Sequence, residues 1–331
     1  MPSKNYVSVK HLVLPLLFVG LLGPVKAGNL VRAEGSADTM GSVFSVVAWG
    51  EDRGRLESAI AAALDEARRL DEMLSNYKPS SELSEVNRLA AKGPVRVSPE
   101  LFRLLETCEQ YSRASDGTFD ITVGPLMKVW GFYRGSGHFP HRAEILGALG
   151  HVGYRKVALD AENRAVRFTE DGVELDPGGV GKGYAVDRMV EILKESGIKS
   201  ALVSAGSSSI YALGAPPDEP GWKVAIKDPR DTTKSAAMVT LRDQSLSTSG
   251  NYEKFFVAEG RVWSHIMDPR TGYPSVGTLS VSLIAPRTID SEIWAKPYYI
   301  LGRQWTTQHM RKDFRVFFCE DKAETPCVWL P

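Results

Sequence analysis

The sequence predicts an α+β fold, and three observations carry the prediction. Helical periodicity is concentrated early: apolar residues fall at Ile60, Leu64, Ala67, Met73, Leu74 and Tyr77 of LESAIAAALDEARRLDEMLSNY, and again at Leu101, Leu104, Leu105, Cys108 and Tyr111. Strand-like runs dominate from Ser200 onward: SALVSAG, GWKVAIKD, AAMVTLRD, KFFVAEG, VWSHIMD and TLSVSLIAP, with turn residues between them. Finally, 331 residues of which 43% are hydrophobic suffice for one large domain with a smaller lobe.

The N-terminal segment stands apart. Lys4 and Lys10 precede HLVLPLLFVGLLGP, and Val25-Lys26-Ala27 offers small residues where a signal peptidase cuts, so residues 1–27 are expected to be a signal peptide. The mature domain, 28–331, is then exported to the periplasm or another extracytoplasmic space. Pro15 and Gly20 interrupt the apolar run, which is short for a membrane span; an uncleaved anchor is the alternative. No cysteine flanks the cleavage point, which argues against a lipid anchor.

Downstream, TMG leads into a strand, SVFSVVAW, and the first long helix follows. A second helix opens at Ser98-Pro99, a capping residue followed by proline in the first turn. DGTFDITVGPLMKVWGFYRGSG fits neither helical nor strand period, and irregular segments of this kind tend to carry function. A short helix (141–149) and a hairpin, KVALD with AVRF, lead to a glycine turn whose helix spans about Lys182 to Glu195 and stops at Gly197. The last segment, DSEIWAKPYYILG, has helical spacing but contains Pro297.

Composition excludes some classes. Forty Lys plus Arg balance forty Asp plus Glu, with no long run of like charge, so a nucleic-acid partner is not expected. Cys108 lies on an apolar helix face and is expected to be a buried thiol, while Cys319 and Cys327 flank a polar turn and are spaced to close a hairpin in an oxidising compartment. No Cys/His spacing matches a zinc site.

The stretch ELDPGGVGKGYAVD, from Glu174 to Asp187, raises the question of which phosphate it holds. A P-loop requires Ser or Thr after Gly-Lys, but Gly183 follows Lys182, and the dinucleotide fingerprint fails because Gly179, Gly181 and Gly183 alternate with single residues. A glycine-rich turn opening a helix still presents bare N–H groups, which suits an anion or simply close packing.

Six strings appear in order: TMG, LSNY with SSELSEVN, GTFDITVGPLMKVWGF, GGVGKGYAVD, STSGNY and SHIMDPRTG. Together they resemble the FAD:protein FMN transferase (ApbE) family from Met40 to Leu301-Gly302, nearly all of the mature chain. The resemblance implies a two-lobed fold with the flavin site between lobes, and transfer of FMN from FAD to a Thr or Ser of an exported acceptor flavoprotein, with release of AMP. It further implies FAD contacts at Met40, Tyr77, Thr118, Phe119, Asp120, Gly178, Tyr184 and Met267, with His265 removing the acceptor proton. A Mg²⁺ ion on the pyrophosphate would be held by the Gly181 carbonyl and a C-terminal carboxylate.

The C-terminal metal motif departs from that pattern. The family places an Asp and, four residues later, a Thr on one side of a helix; here those positions hold Glu292 and Lys296. Asp290 is an alternative carboxylate if the register shifts by two. A protonated lysine cannot ligate a metal, although its ammonium can take the place of a cation beside phosphate. Besides a transferase, the same pocket would serve an FAD-binding accessory protein or an FAD pyrophosphatase.

Overall fold

Two nine-residue strands, β1 (Val31–Thr39) and β2 (Ser42–Gly50), pair antiparallel around a turn in which Met40 (φ 50°) and Gly41 (φ 66°) take left-handed backbone. β1 was not expected, because VRAEGSADT carries few bulky apolar residues to mark a buried face. The computed structural model describes residues 30–331 apart from Ser136, the Arg134 side chain and residues 322–326, so the expected signal peptide lies outside the described residues.

Asp52 caps α1 (Arg53–Leu74) by accepting the Arg55 N–H at 3.0 Å, and the helix buries Leu56, Ile60, Ala63, Leu64, Ala67, Leu70 and Met73. It ends at Leu74, so Tyr77 stands on the following turn and not on the helix's apolar face. After α2 (Glu82–Leu89) and β3 (Val95–Arg96), α3 (Pro99–Ala114) starts as expected on the Ser98 cap and buries Cys108, whose thiol pKa is pushed up by desolvation. The irregular segment contains α4 (Gly124–Val129); α5 (Arg142–Leu149) follows. β4 (Val157–Asp160) and β5 (Ala165–Phe168) join β3 in a small sheet ordered β3-β5-β4.

α6 (Gly181–Glu195) follows the glycine turn, and then come β6 (Ser200–Ala205), β7 (Ser209–Leu213), β8 (Trp222–Lys227), β9 (Ser235–Leu241) and β10 (Gln244–Gly250). Four short strands, β11 (Phe255–Ala258), β12 (Arg261–Ser264), β13 (Met267–Asp268) and β14 (Tyr273–Pro274), form two separate hairpins. The chain closes with β15 (Thr278–Ala285), α7 (Thr288–His309), β16 (Arg315–Glu320) and β17 (Cys327–Trp329).

The main sheet is antiparallel throughout, in the order β1-β2-β6-β7-β10-β15-β16-β17. Helices α1, α6 and α7 cover one face over the main core, and the β8–β9 hairpin brings Trp222, Val224, Ile226 and Leu241 against the other. The fold is therefore α+β, as expected. Cys319 and Cys327 are directly opposed on β16 and β17 and are joined in a disulfide. Among the described residues no helix is long and apolar enough to cross a membrane.

α7 runs through Pro297 and turns instead at Gly302, where φ is 81°. Its start is locked to that of α6 by exchanged carboxylates. Asp187 of α6 accepts the N–H groups of Thr288 (2.7 Å) and Ile289 (2.9 Å), while Glu292 of α7 accepts the Gly183 N–H. Each helix thus has an anion from the other at its positive end. Replacing Asp187 with Ala leaves two partly buried N–H groups unpaired and is expected to destabilise the protein by about 2–4 kcal/mol. Urea unfolding of Asp187→Ala checks this: a midpoint unchanged from the parent protein would mean that water replaces the cap without cost.

Candidate functional site

The glycine turn is held from one side by a polar chain. Asp176 accepts the Gly178 N–H at 2.6 Å and the Tyr133 hydroxyl at 2.8 Å, and Asn76 donates to that hydroxyl at 2.7 Å. Burial raises the Asp176 pKa, opposed by these two bonds and by the nearby charge of Lys254. Tyr77 packs edge-on against Tyr133, with ring centroids 5.5 Å apart, and is 68% exposed. An exposed aromatic ring above an ordered polar network is well placed to stack on a planar ligand.

Close approach explains the glycines. A Cβ at Gly179 would lie 3.2 Å from a Phe119 ring carbon and 3.3 Å from Lys296 Cε, and one at Gly181 would lie 3.1 Å from the Met40 methyl. At Gly183 it would meet Glu292 Oε2 and the Thr288 carbonyl oxygen, both at 2.7 Å. The turn therefore draws Met40, Phe119, Glu292 and Lys296 onto one stretch of bare backbone.

His265 follows β12 directly, where the expected strand VWSHIMD is broken in two. Its Nδ1 lies 3.1 Å from the Lys254 carbonyl oxygen. A carbonyl only accepts, so Nδ1 carries the proton and the Nε2 lone pair is free. Burial, then the charge of Lys254, and further the charges of Lys182 and Lys296 push the His265 pKa down to about 3, against the bond to the Lys254 carbonyl. Lys182 donates to Ser208 Oγ at 2.5 Å, and Lys296 donates to the Glu292 carbonyl at 3.0 Å. The Lys296 pKa falls to about 8, chiefly through burial, with Lys182 adding to the fall and Glu292 opposing it. The arrangement joins a neutral base to three cations, which is suited to a polyanionic substrate that loses a proton.

The remaining expected residues divide. Thr118 is buried and its hydroxyl has no hydrogen-bond partner among the described residues, which leaves it available to a ligand. Asp120 is committed to the protein: one oxygen accepts the N–H and hydroxyl of Thr122, the other the Tyr154 N–H at 2.6 Å. Tyr184 points to Glu100, its hydroxyl donating at 2.9 Å, and Met267 is buried in the cluster around Trp130. Neither is joined by these contacts to the lysines around His265.

The expected metal set does not come together. Gly181 opens α6, so its carbonyl points along the helix, and the groups that a helix start leaves free are N–H donors. The Glu292 carboxylate is engaged by the Gly183 N–H, and Lys296 places an ammonium where an oxygen ligand would be needed. Asp290 is turned elsewhere, bonded by the Tyr111 hydroxyl and by Arg287 at 2.8 Å. Among the described residues, no group of three or more His, Cys, Asp or Glu side chains is placed to hold a metal. The donor chemistry fits an anion better than a cation.

Sequence reasoning missed Asp176, Tyr133, Lys182 and Lys254 as parts of the site. Asp176 had a signal, as the capping-type residue before Pro177-Gly178. Lys182 had a weak one, as the lysine of the glycine-rich stretch tested as a phosphate loop, whereas Lys254 had none, because a single lysine in a mixed sequence looks like solvated surface and only the fold brings it beside Lys182 and Lys296.

Comparison with known proteins bears on the family and the overall fold. The family model described as "ApbE family" matches residues 40–318. A protein of Klebsiella pneumoniae named FAD:protein FMN transferase is 32% identical over 272 residues, covering 81% of this chain and 82% of that one. One of the same name from Salmonella typhimurium is 31% identical, covering 88% and 85%. Among solved structures, the ApbE protein of Thermotoga maritima superposes with a TM-score of 0.81 at 28% identity, covering 89% of this chain and 98% of that one. The apo flavinyl transferase ApbE of Pseudomonas stutzeri gives 0.79 at 27%, covering 91% and 94%.

Proposed function

The chain belongs to the ApbE family, and we propose from that premise that it is an FAD:protein FMN transferase acting on a Thr or Ser hydroxyl of an acceptor flavoprotein. The observation that carries the reading is His265: its Nδ1–H is fixed on a carbonyl, its Nε2 is unprotonated, and lysines surround it. With FAD bound, Tyr77 lies against the flavin, and the glycine turn with the lysines faces the pyrophosphate. Nε2 accepts the acceptor's hydroxyl proton as its oxygen bonds to the FMN phosphorus. The bond from that phosphorus to the bridging oxygen breaks, and AMP leaves with that oxygen and the electron pair.

The leader sequence and the disulfide support an extracytoplasmic site of action and an exported acceptor. A role for Mg²⁺ is not adopted, because Asp290 is bonded to Arg287, one Glu292 oxygen to Gly183, and a lysine, Lys296, stands at the remaining ligand position.

The test is to incubate residues 28–331 with FAD and an acceptor bearing a reactive Thr, then read flavin fluorescence on a denaturing gel and the intact mass of the acceptor. A mass increase equal to one FMN, with AMP released in equal amount, is the expected result. Free FMN and AMP with a bare acceptor would replace transfer by hydrolysis. FAD recovered intact would leave a binding protein.

A further inference from the structure

Three lysines from separate elements lie around His265 and the glycine turn. Lys182 comes from the first turn of α6, Lys254 from the segment before β11, and Lys296 from α7. His265 Nδ1 lies 3.1 Å from the Lys254 carbonyl, the Lys182 ammonium donates to Ser208 and that of Lys296 to the Glu292 carbonyl, and the charges of all three depress the His265 pKa. Lys296 lies against the bare backbone of Gly179, so no side chain of the turn stands between its stem and an approaching phosphate.

We infer that the ammonium of Lys296, together with those of Lys182 and Lys254, neutralises the FAD pyrophosphate in place of a divalent cation, so that this chain binds FAD and transfers FMN without metal. The inference rests on the transferase reading above. Two observations carry it beyond that reading. First, the carboxylates are poorly placed for a cation: Asp290 is bonded to Arg287 and Tyr111, one Glu292 oxygen is taken by the Gly183 N–H, and among the described residues no group of three or more His, Cys, Asp or Glu side chains is placed to hold a metal. Second, an ammonium has donors only, and one fixed beside the turn repels a dication as it attracts phosphate oxygens. In the transfer step the acceptor oxygen bonds to the FMN phosphorus, its proton goes to His265, and negative charge gathers on the departing AMP oxygen. A lysine N–H can stabilise that charge as a metal would.

The experiment titrates FAD into the mature protein, by flavin fluorescence, in EDTA and in Mg²⁺, and scores acceptor labelling in parallel. FAD affinity in EDTA is expected to stay within about twofold of that in Mg²⁺, while Lys296→Met weakens binding in EDTA by about 10- to 100-fold. Lys296→Thr should weaken it similarly and regain at least about fivefold on addition of Mg²⁺. Lys296→Arg, which keeps the charge, should bind FAD at least about fivefold more tightly than Lys296→Met, provided both variants melt cooperatively near the parent temperature. A tenfold loss of parent affinity in EDTA, or unimpaired binding by Lys296→Met, would overturn the inference. Labelling that occurs only with Mg²⁺ would also overturn it while leaving the transferase reading intact. Metal-independent FAD binding without labelling in either buffer would uphold the cation's replacement and remove the transferase reading instead.

Discussion

Replacing His265 with Asn is expected to lower the single-turnover rate of FMN transfer by roughly 100- to 10,000-fold, the range associated with loss of a positioned general base. FAD affinity should change by no more than about threefold, because Nε2 is assigned to the acceptor's proton and the lysines to the phosphates. Asn can still donate to the Lys254 carbonyl, so the variant keeps the local bond and removes the base. Rapid-quench labelling at saturating FAD separates the two quantities; a variant within tenfold of the parent rate would remove His265 from the chemistry.

The pH dependence has a definite sign. In the free protein His265 is held down to about 3, so it remains neutral and able to accept a proton throughout the range in which an ordinary histidine titrates. The kcat/KM for FAD should therefore show no tenfold fall per pH unit below 6.5. The folding linkage runs the same way. A histidine with a depressed folded pKa contributes stability that is complete above about 6.5 and is lost as the pH falls toward 3. The stability of the parent relative to His265→Asn should consequently decline over that window, as urea midpoints at pH 7 and 5 would show.

How much was legible in the sequence depends on what each residue does. The helices were readable where an apolar face repeats: α1, α3 and α6 follow the expected spans closely, and Ser98-Pro99 marks a start through local chemistry alone. β10 was hidden because its inward face is serine. Ser245 and Ser247 bury hydroxyls that bond to Ser291 of α7 at 3.0 and 2.7 Å, so LSTSG has the composition of a loop and the burial of a core strand. Motif strings located the glycine turn, His265 and Tyr77. They did not reveal that the Glu292 carboxylate serves α6, or that Asp290 faces Arg287, because a side chain's direction is decided by partners more than 100 positions away in one case and three in the other. Lys182, Lys254 and Lys296 became a site only through the packing of α6 and α7 beside the β11–β12 hairpin.

That hairpin carries His265, and its position rests on Trp130. The Trp130 side chain is completely buried, its Nε1–H donates to the Gly272 carbonyl at 2.9 Å, and its ring contacts Phe139, Phe256, Trp263 and Tyr273 at centroid distances of 5.4 to 6.2 Å. It thereby ties α4 to both strands of the β11–β12 pair and to the β13–β14 turn on either side of His265. Trp130→Ala is expected to cost about 3–5 kcal/mol, combining lost burial with a cavity among aromatic neighbours that cannot all collapse. Trp130→Phe retains most of the ring contacts and gives up mainly the bond to Gly272, so about 1–3 kcal/mol is expected. Urea unfolding of the two variants decides which contribution is larger. Equal losses would assign the effect to the buried carbonyl and not to packing. Because Trp130 itself is completely buried and packs against the strands on either side of His265, Trp130→Phe should lower kcat for acceptor labelling while leaving FAD affinity near that of the parent. A variant that loses FAD affinity in step with kcat would show that the cluster supports the whole pocket, and not the hairpin alone.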